Sequence, residues 1–241
     1  MTPQVLPRTG CAPALTLPAP AALRLGSTAH DLLGRVPAVL FFGWSSWTNG
    51  VALVAEAGAL QAPGAAAVLR LLAHAALLGF AVMVTLALAF RHPPVLRRGG
   101  VLPRIAAVGG AFSLVAVLLC PPAEMAGPVA ALSFALIVLG NGMAIYALGH
   151  LGRALSIMAE ARHLVTSGPY RLVRHPLYAA EAVVSLGLLL QFQPFPAVPI
   201  WLAHIGLQFY RMHYEEQVLR EAFPGYSAYA SRTARIMPGV F

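Results

Sequence analysis

The sequence predicts an all-α, polytopic integral membrane protein: about four full transmembrane helices, a C-terminal helical hairpin that brings the apolar segments to about six, and a cytoplasmic C-terminal helix. Three observations predict it. Of 241 residues, 59% are hydrophobic and only 10% charged, against about 25% charged in a soluble domain. Several uncharged runs reach the ~20 residues needed to cross ~30 Å of hydrocarbon. The arginines gather in alternate gaps between those runs.

Residues 1–35 read as an N-terminal cytoplasmic tail, rich in Pro and Ala. Pro13, Pro18 and Pro20 interrupt its apolar part and spoil the helix of a cleaved signal peptide. Four long apolar segments follow over 36–60, 65–90, 101–120 and 127–148. A more polar stretch, 149–176, precedes two shorter apolar segments, 177–191 and 197–209, split by Gln193-Pro194-Phe195-Pro196. Each is short for an independent span, so a tight hairpin packed on the earlier helices is expected. The chain thus divides into the tail, transmembrane helices over 36–148, and a C-terminal region over 149–241.

All 16 basic residues are Arg, and the net charge is +8. Arg8, Arg24 and Arg35 precede the first segment. Arg91, Arg97, Arg98 and Arg104 lie between the second and third, and Arg153, Arg162, Arg171 and Arg174 between the fourth and fifth. The gaps around 56–64 and 121–128 have none. This alternation puts both termini on the cytoplasmic side. The arginines sit at span ends and not on one basic helix, which argues against nucleic acid. Cys11 and Cys120 make no disulfide framework or metal cluster, and no metal site is expected. The Arg-only, Ala-rich composition points to a bacterial inner membrane.

The chemistry concentrates in 166–181, T-S-G-P-Y-R-L-V-R-H-P-L-Y-A-A-E. Ser167-Gly168-Pro169 is turn chemistry. His175 precedes a proline and is biased out of the helical region. Pro176 suits a first helical turn, where its missing N–H costs nothing. The helix start, with Arg171, Arg174 and His175 beside it, is an anion site at the membrane surface or ordinary positive-inside anchoring. Tyr178 and Glu181 share a helix face, and an ionisable Glu181 inside an apolar run marks a functional site or pairs with a loop Arg. Further on, Glu216 shares a helical stripe with Phe209, Met212, Leu219 and Phe223, whereas Glu215 falls beside Arg211 as a surface pair. Glu216 is therefore the expected ligand of the two, with a loop Arg partner as the alternative. Asn49, Asn141, His74 and His204 read as interhelical hydrogen bonds, and Gly140-Asn141-Gly142 as close helix packing.

Arg174-His175-Pro176-x-Tyr178 followed by Glu215-Glu216 resembles the isoprenylcysteine carboxyl methyltransferase family and its relatives, the membrane phospholipid methyltransferases. Gly168-Pro169-Tyr170-Arg171, Tyr226, Tyr229 and the stretch from Arg235 to Pro238 also look like that family, so the resemblance covers about 149–238. Ala180 stands where the family usually has Gly. The resemblance implies S-adenosylmethionine as methyl donor, held by Tyr170, His175, Pro176, Tyr178, Glu215 and Glu216 on the cytosolic side; the candidate catalytic residues are Arg174, from the family's pattern, and Glu181, from its place inside the apolar run. The donor's groups suit these residues: a helix start with His175 for its carboxylate, Glu216 for its ammonium, and the Tyr178 ring for its sulfonium.

The expected activity is methylation of a lipophilic or membrane-partitioning small acceptor at O, S or N, with the bilayer and a lipid or small lipophilic molecule as partners. Two other classes stay open: a non-catalytic membrane protein that keeps the scaffold and binds a lipid or cofactor, and a membrane reductase.

Overall fold

The computed structural model describes residues 27–59, 64–97 and 99–239. Most of the expected N-terminal tail, with Cys11, falls outside these residues. Its last part does not behave as a tail: the first helix, α1 (Ser27–Ala59), begins nine residues before the apolar run. α2 (Ala65–Ala89) returns alongside it. α3 (Val101–Phe112) runs directly into a 3-10 helix, Ser113–Leu119. α4 (Gly127–Leu151), α5 (Pro176–Leu189) and α6 (Pro194–Ala222) complete the bundle, and a short α7 (Tyr226–Ala230) follows. The protein is an all-α polytopic membrane protein with four helical runs long and apolar enough to span: Gly34–Gly58, Ala67–Ala89, Val101–Leu119 and Gly127–Ala154.

Two features follow from lipid as solvent. On α1, Leu40, Trp44, Trp47, Val51 and Val54 form an outward stripe, each more than half exposed, as a lipid-facing surface requires. In the third run, 12 residues are α-helical and seven are 3-10. At about 1.5 and 2.0 Å rise per residue the run reaches about 32 Å, enough for the ~30 Å core that an all-α run would fall just short of.

α4 and α5 approach closely because their contact is built from small residues. A Cβ on Gly140 would lie 2.7 Å from the Val184 nitrogen and 2.9 Å from the Ala180 oxygen, and one on Gly187 would lie 2.8 Å from the Ser133 oxygen. Ser133 Oγ donates to the Gly187 carbonyl at 2.7 Å. Asn141 is buried at this contact but donates to Ile137 of its own helix, and Asn49 likewise bonds to Ser45. Both were expected to bridge helices; the i−4 carbonyl one turn back is the nearer acceptor. His74 does bridge helices, to Glu56 at 2.9 Å, and so does His204, to Ser113 at 3.0 Å.

The hairpin forms as expected, with α5 starting at Pro176, but its second arm is not a short apolar segment followed by a separate helix. α6 runs unbroken for 29 residues, because no proline follows Pro199 until Pro224. The arginine-bearing connections share one face. Leu96–Arg97 (β1) pairs antiparallel with Glu160–Ala161 (β2), which stitches the α2–α3 connection to the α4–α5 connection.

Candidate functional site

The stretch leading into α5 is held from both sides. Gly168 has φ +58°, and the His150 ring sits 2.4 Å from where its Cβ would be, so only glycine fits. The turn Gly168–Arg171 buries Tyr170, whose carbonyl accepts from the Tyr229 hydroxyl at 2.7 Å. The backbone N–H groups of Arg174 and His175 donate to the carbonyls of Ala234 and Arg235 at 2.8 and 3.0 Å. The tail after α7 is thereby tied to the start of α5.

Glu216 is the charge centre of this junction. Its Oε1 accepts from Arg174 Nε, His175 Nε2 and Arg235 Nε, each at 3.1 Å, and its Oε2 from Arg220 Nη2 at 2.8 Å. The residue is 3% exposed. Burial alone would raise its carboxyl, but the His175 hydrogen bond, the charges of His175 and Arg235 and the Arg174 hydrogen bond reverse this and hold it at about 2. The anion at the α5 start is thus internal. Arg174 and His175 face Glu216, and Arg171 points to the surface. Glu216 has the basic partners that were the alternative to a ligand role.

Glu215 lies elsewhere than expected. It makes no ion pair with Arg211; it accepts from the Tyr178 hydroxyl and lines a cleft. Arg211 is buried, not at the surface. Its guanidinium carbon lies 5.1 Å from the Tyr178 ring centre, and Nη1 donates to Gln208 Oε1 at 3.0 Å. Room for it comes from Gly110 on α3, where a Cβ would come 2.3 Å from Arg211 Cδ. Glu181 also finds no loop arginine; its Oε2 accepts from Gln208 Nε2 at 2.5 Å.

These groups surround one cleft with a cavity of about 160 Å³. Its polar wall carries Tyr170, Arg174, His175, Tyr178, Glu181 and Glu215 together with Arg211, Tyr226 and Tyr229. Its apolar wall carries Phe42 of α1, Phe80 and Val84 of α2, and Ala111 of α3. Residues 154–165 form the remaining side. The cleft therefore gathers every sequence-derived candidate except Pro176 and Glu216, which stand behind its wall, both buried. Three buried polar atoms of lining residues, Arg162 Nε, Arg211 Nε and Tyr226 Oη, have no partner among the described residues. Burial raises the Tyr226 hydroxyl, and the Glu216 charge adds to it.

The segment 154–165 is pinned by an ionic clasp. Asp31 Oδ1 accepts from Arg91 at 2.8 Å, Arg162 at 3.1 Å and Arg97 at 3.2 Å. Arg162, with a fully buried side chain, also meets Glu160 at 2.5 Å, and Arg97 meets it at 3.1 Å. Burial pushes the Asp31 carboxyl up, and the Arg162 hydrogen bond with the three arginine charges outweighs it, leaving it below its usual value.

Sequence reasoning missed Arg211, Gln208 and Asp31. A signal existed for the first two: His204, Gln208, Arg211 and Glu215 recur at helical spacing through an apolar helix, a polar stripe that one face must bury. Nothing local marks Asp31, whose partners are 60, 66 and 131 residues away.

Residues 128–225 match the family model described as phospholipid methyltransferase. Among curated proteins, 99 residues are 34% identical to the cobalt-zinc-cadmium resistance protein CzcN of Cupriavidus metallidurans, covering 40% of this chain and 46% of that one. A stretch of 110 residues is 32% identical to the nickel-cobalt-cadmium resistance protein NccN of Alcaligenes xylosoxydans xylosoxydans, covering 44% of this chain and 52% of that one. The matched stretches span about half the length of these relatives. The matched family is a methyltransferase family, and its model ends just short of α7.

Proposed function

We propose that this chain is an integral membrane methyltransferase that takes its methyl group from S-adenosylmethionine and passes it to a lipophilic or membrane-partitioning acceptor at the cytosolic face of a bacterial inner membrane. The observation that carries the reading is the two-sided cleft. One wall holds carboxylates, tyrosines and a guanidinium; the other is built from apolar side chains of the spanning helices. A charged donor suits the first and a lipophilic acceptor the second.

The residues present fit the donor. When bound, it supplies an electrophilic methyl carbon on a sulfonium. Glu215 is the carboxylate for its ammonium: Tyr178 anchors Oε1 and leaves Oε2 as acceptor. Arg211 Nε and Tyr226 Oη are buried donors without a partner among the described residues, suited to a carboxylate and to a hydroxyl or ring nitrogen. Tyr170 adds an aromatic surface. His175 and Pro176 set the start of α5, and Arg174 holds that start to Glu216. The protein's contribution is alignment and exclusion of water; alignment alone is worth about 7–11 kcal/mol.

Calorimetry of the detergent-purified protein with S-adenosylhomocysteine tests the reading. Saturable binding is expected, and transfer of a labelled methyl group into a lipid extract separates an enzyme from a scaffold that only binds. Folded protein that gives no binding heat would remove the donor, and the reading with it.

A further inference from the structure

We infer that Gln208 is a positioning residue that works as a dipolar spacer: its amide stands between Glu181 and Arg211, keeps these opposite charges from closing into an ion pair, and so keeps Arg211 open to a ligand's carboxylate. The inference rests on the methyltransferase reading above, in which Arg211 meets the carboxylate of the donor.

Three side chains argue it. Gln208 Nε2 donates to Glu181 Oε2 at 2.5 Å, and Gln208 Oε1 accepts from Arg211 Nη1 at 3.0 Å. Glu181 and Arg211 both line the cleft, whereas Gln208 stands behind the lining. The two charges attract each other, yet among the described residues no ion pair joins them; what each touches is the amide. In poorly solvated surroundings a guanidinium and a carboxylate gain strongly from direct, two-pronged contact. Closed on Glu181, Arg211 would have its charge answered within the protein and less to offer a bound anion.

The amide holds its place in one orientation. Its carbonyl faces the cation and its NH2 faces the anion, so both ends gain from the charge they meet. A flipped amide would set donor against donor and acceptor against acceptor. Its second hydrogen is left for His204 Nε2, 3.5 Å away. With that nitrogen as acceptor, the ring proton sits on Nδ1 and is donated to Ser113 Oγ at 3.0 Å. From α3, Gly110 backs both side chains: a Cβ there would lie 3.1 Å from Gln208 Oε1 and 2.3 Å from Arg211 Cδ. The charged and titratable groups around the spacer are Glu181 and Tyr178 of α5 and His204, Arg211 and Glu215 of α6; α3 presents Gly110 and Ser113.

Calorimetry with S-adenosylhomocysteine on the detergent-purified full chain tests it. Gln208→Ala removes the spacer and lets Arg211 close on Glu181, so affinity should fall by about tenfold or more, as loss of a contact to a charged group does. Adding Glu181→Gln to that variant removes the charge that captures Arg211 and should restore most of the lost affinity. A residue that only fills space predicts no such recovery. Gln208→Ala with the affinity of the wild type, or a double variant no better than Gln208→Ala, overturns the inference. Gln208→Glu keeps the shape but makes the spacer depend on a proton, because the introduced carboxyl and Glu181 can hydrogen-bond only by sharing one. Relative to the wild type, its affinity should strengthen as pH falls from about 9 to about 5, by up to about tenfold per unit, the slope of one linked proton. An affinity ratio that stays flat with pH overturns the inference, and this arm stands even where Gln208→Ala fails to fold. A folded wild type that gives no binding heat removes the methyltransferase reading, and the inference with it.

Discussion

Arg211 sets its guanidinium carbon 5.1 Å from the centre of the Tyr178 ring, and the hydroxyl of that ring donates to Glu215, one turn beyond Arg211 on the same helix. This closed relationship couples α5 to α6 and turns Glu215 into the cleft. It also separates the roles of the two adjacent glutamates. One faces the ligand space; the other is enclosed by the protein's own cations.

The first prediction follows from that separation. Glu215→Gln should weaken S-adenosylhomocysteine binding by roughly ten- to hundredfold, since a hydrogen bond to a charged group is worth about 1.5–3 kcal/mol, while thermal unfolding changes little. Glu216→Gln should do the reverse. It strips the common partner from Arg174, His175 and Arg235, and breaking a buried pair costs about 3–5 kcal/mol. Calorimetry and thermal scans on both variants check this. A folded, fully stable Glu216→Gln with lost affinity would restore Glu216 as the ligand.

The second concerns acid. The Glu216 carboxyl titrates at about 2 in the folded protein against an ordinary 4.5. A depressed folded value means that the stabilisation is complete above the unfolded value and disappears as pH falls through 4.5 toward 2. Thermal stability should therefore decline over that window. Glu216→Gln, already lacking the contribution, should show a shallower decline. Equal slopes for the two proteins would mean that Glu216 is not the group responsible.

The third concerns the clasp on α1. Asp31 is the shared acceptor of three arginines, and Arg162 and Glu160 belong to the segment that closes the cleft. Asp31→Asn should raise hydrogen exchange at the Val95 amide, which donates to the Ala161 carbonyl at 2.7 Å, and should weaken cofactor binding several-fold. Exchange in the α4–α5 contact should not change. Unaltered exchange at the Val95 amide would show that the strand pair holds without the clasp.

The spans were legible in the sequence because lipid tolerates few charges, so hydropathy and arginine placement report the same boundaries. The continuity of α6 was not. The drop in hydropathy after Phe209 marks where the helix leaves apolar surroundings, which is not where the backbone stops being helical. The burial of Glu216 was legible from its phase with Met212 and Leu219. Its partners were not, because Arg235 reaches it only when the tail returns to the start of α5. Likewise, reading Arg211 as a surface cation follows from local spacing alone; Gly110, a hundred positions earlier, is what admits it to the interior.

The last prediction concerns Ala180, where the resembling family has glycine. Ala180 is fully buried, yet it is absent from the cleft lining. Its surroundings are those of the helix contact: its carbonyl faces Gly140 of α4, at 2.9 Å from a Cβ built there. The methyl group is therefore a packing element between α4 and α5 and not a barrier to the donor. Ala180→Gly should leave S-adenosylhomocysteine affinity within about twofold and cost about 0.5–1 kcal/mol of stability, the usual penalty of glycine inside a helix. Gly140→Ala should behave differently. Its Cβ would meet Val184 Cγ2 at 2.6 Å and the Val184 nitrogen at 2.7 Å, and backbone cannot give way as a side chain can. Overpacking of this kind costs about 1–3 kcal/mol, and here it pushes on the helix that carries Tyr178 and Glu181, so affinity should fall with stability. Calorimetry and thermal unfolding of the two variants decide the matter: a tenfold change in affinity for Ala180→Gly with stability intact would place that methyl group against the ligand.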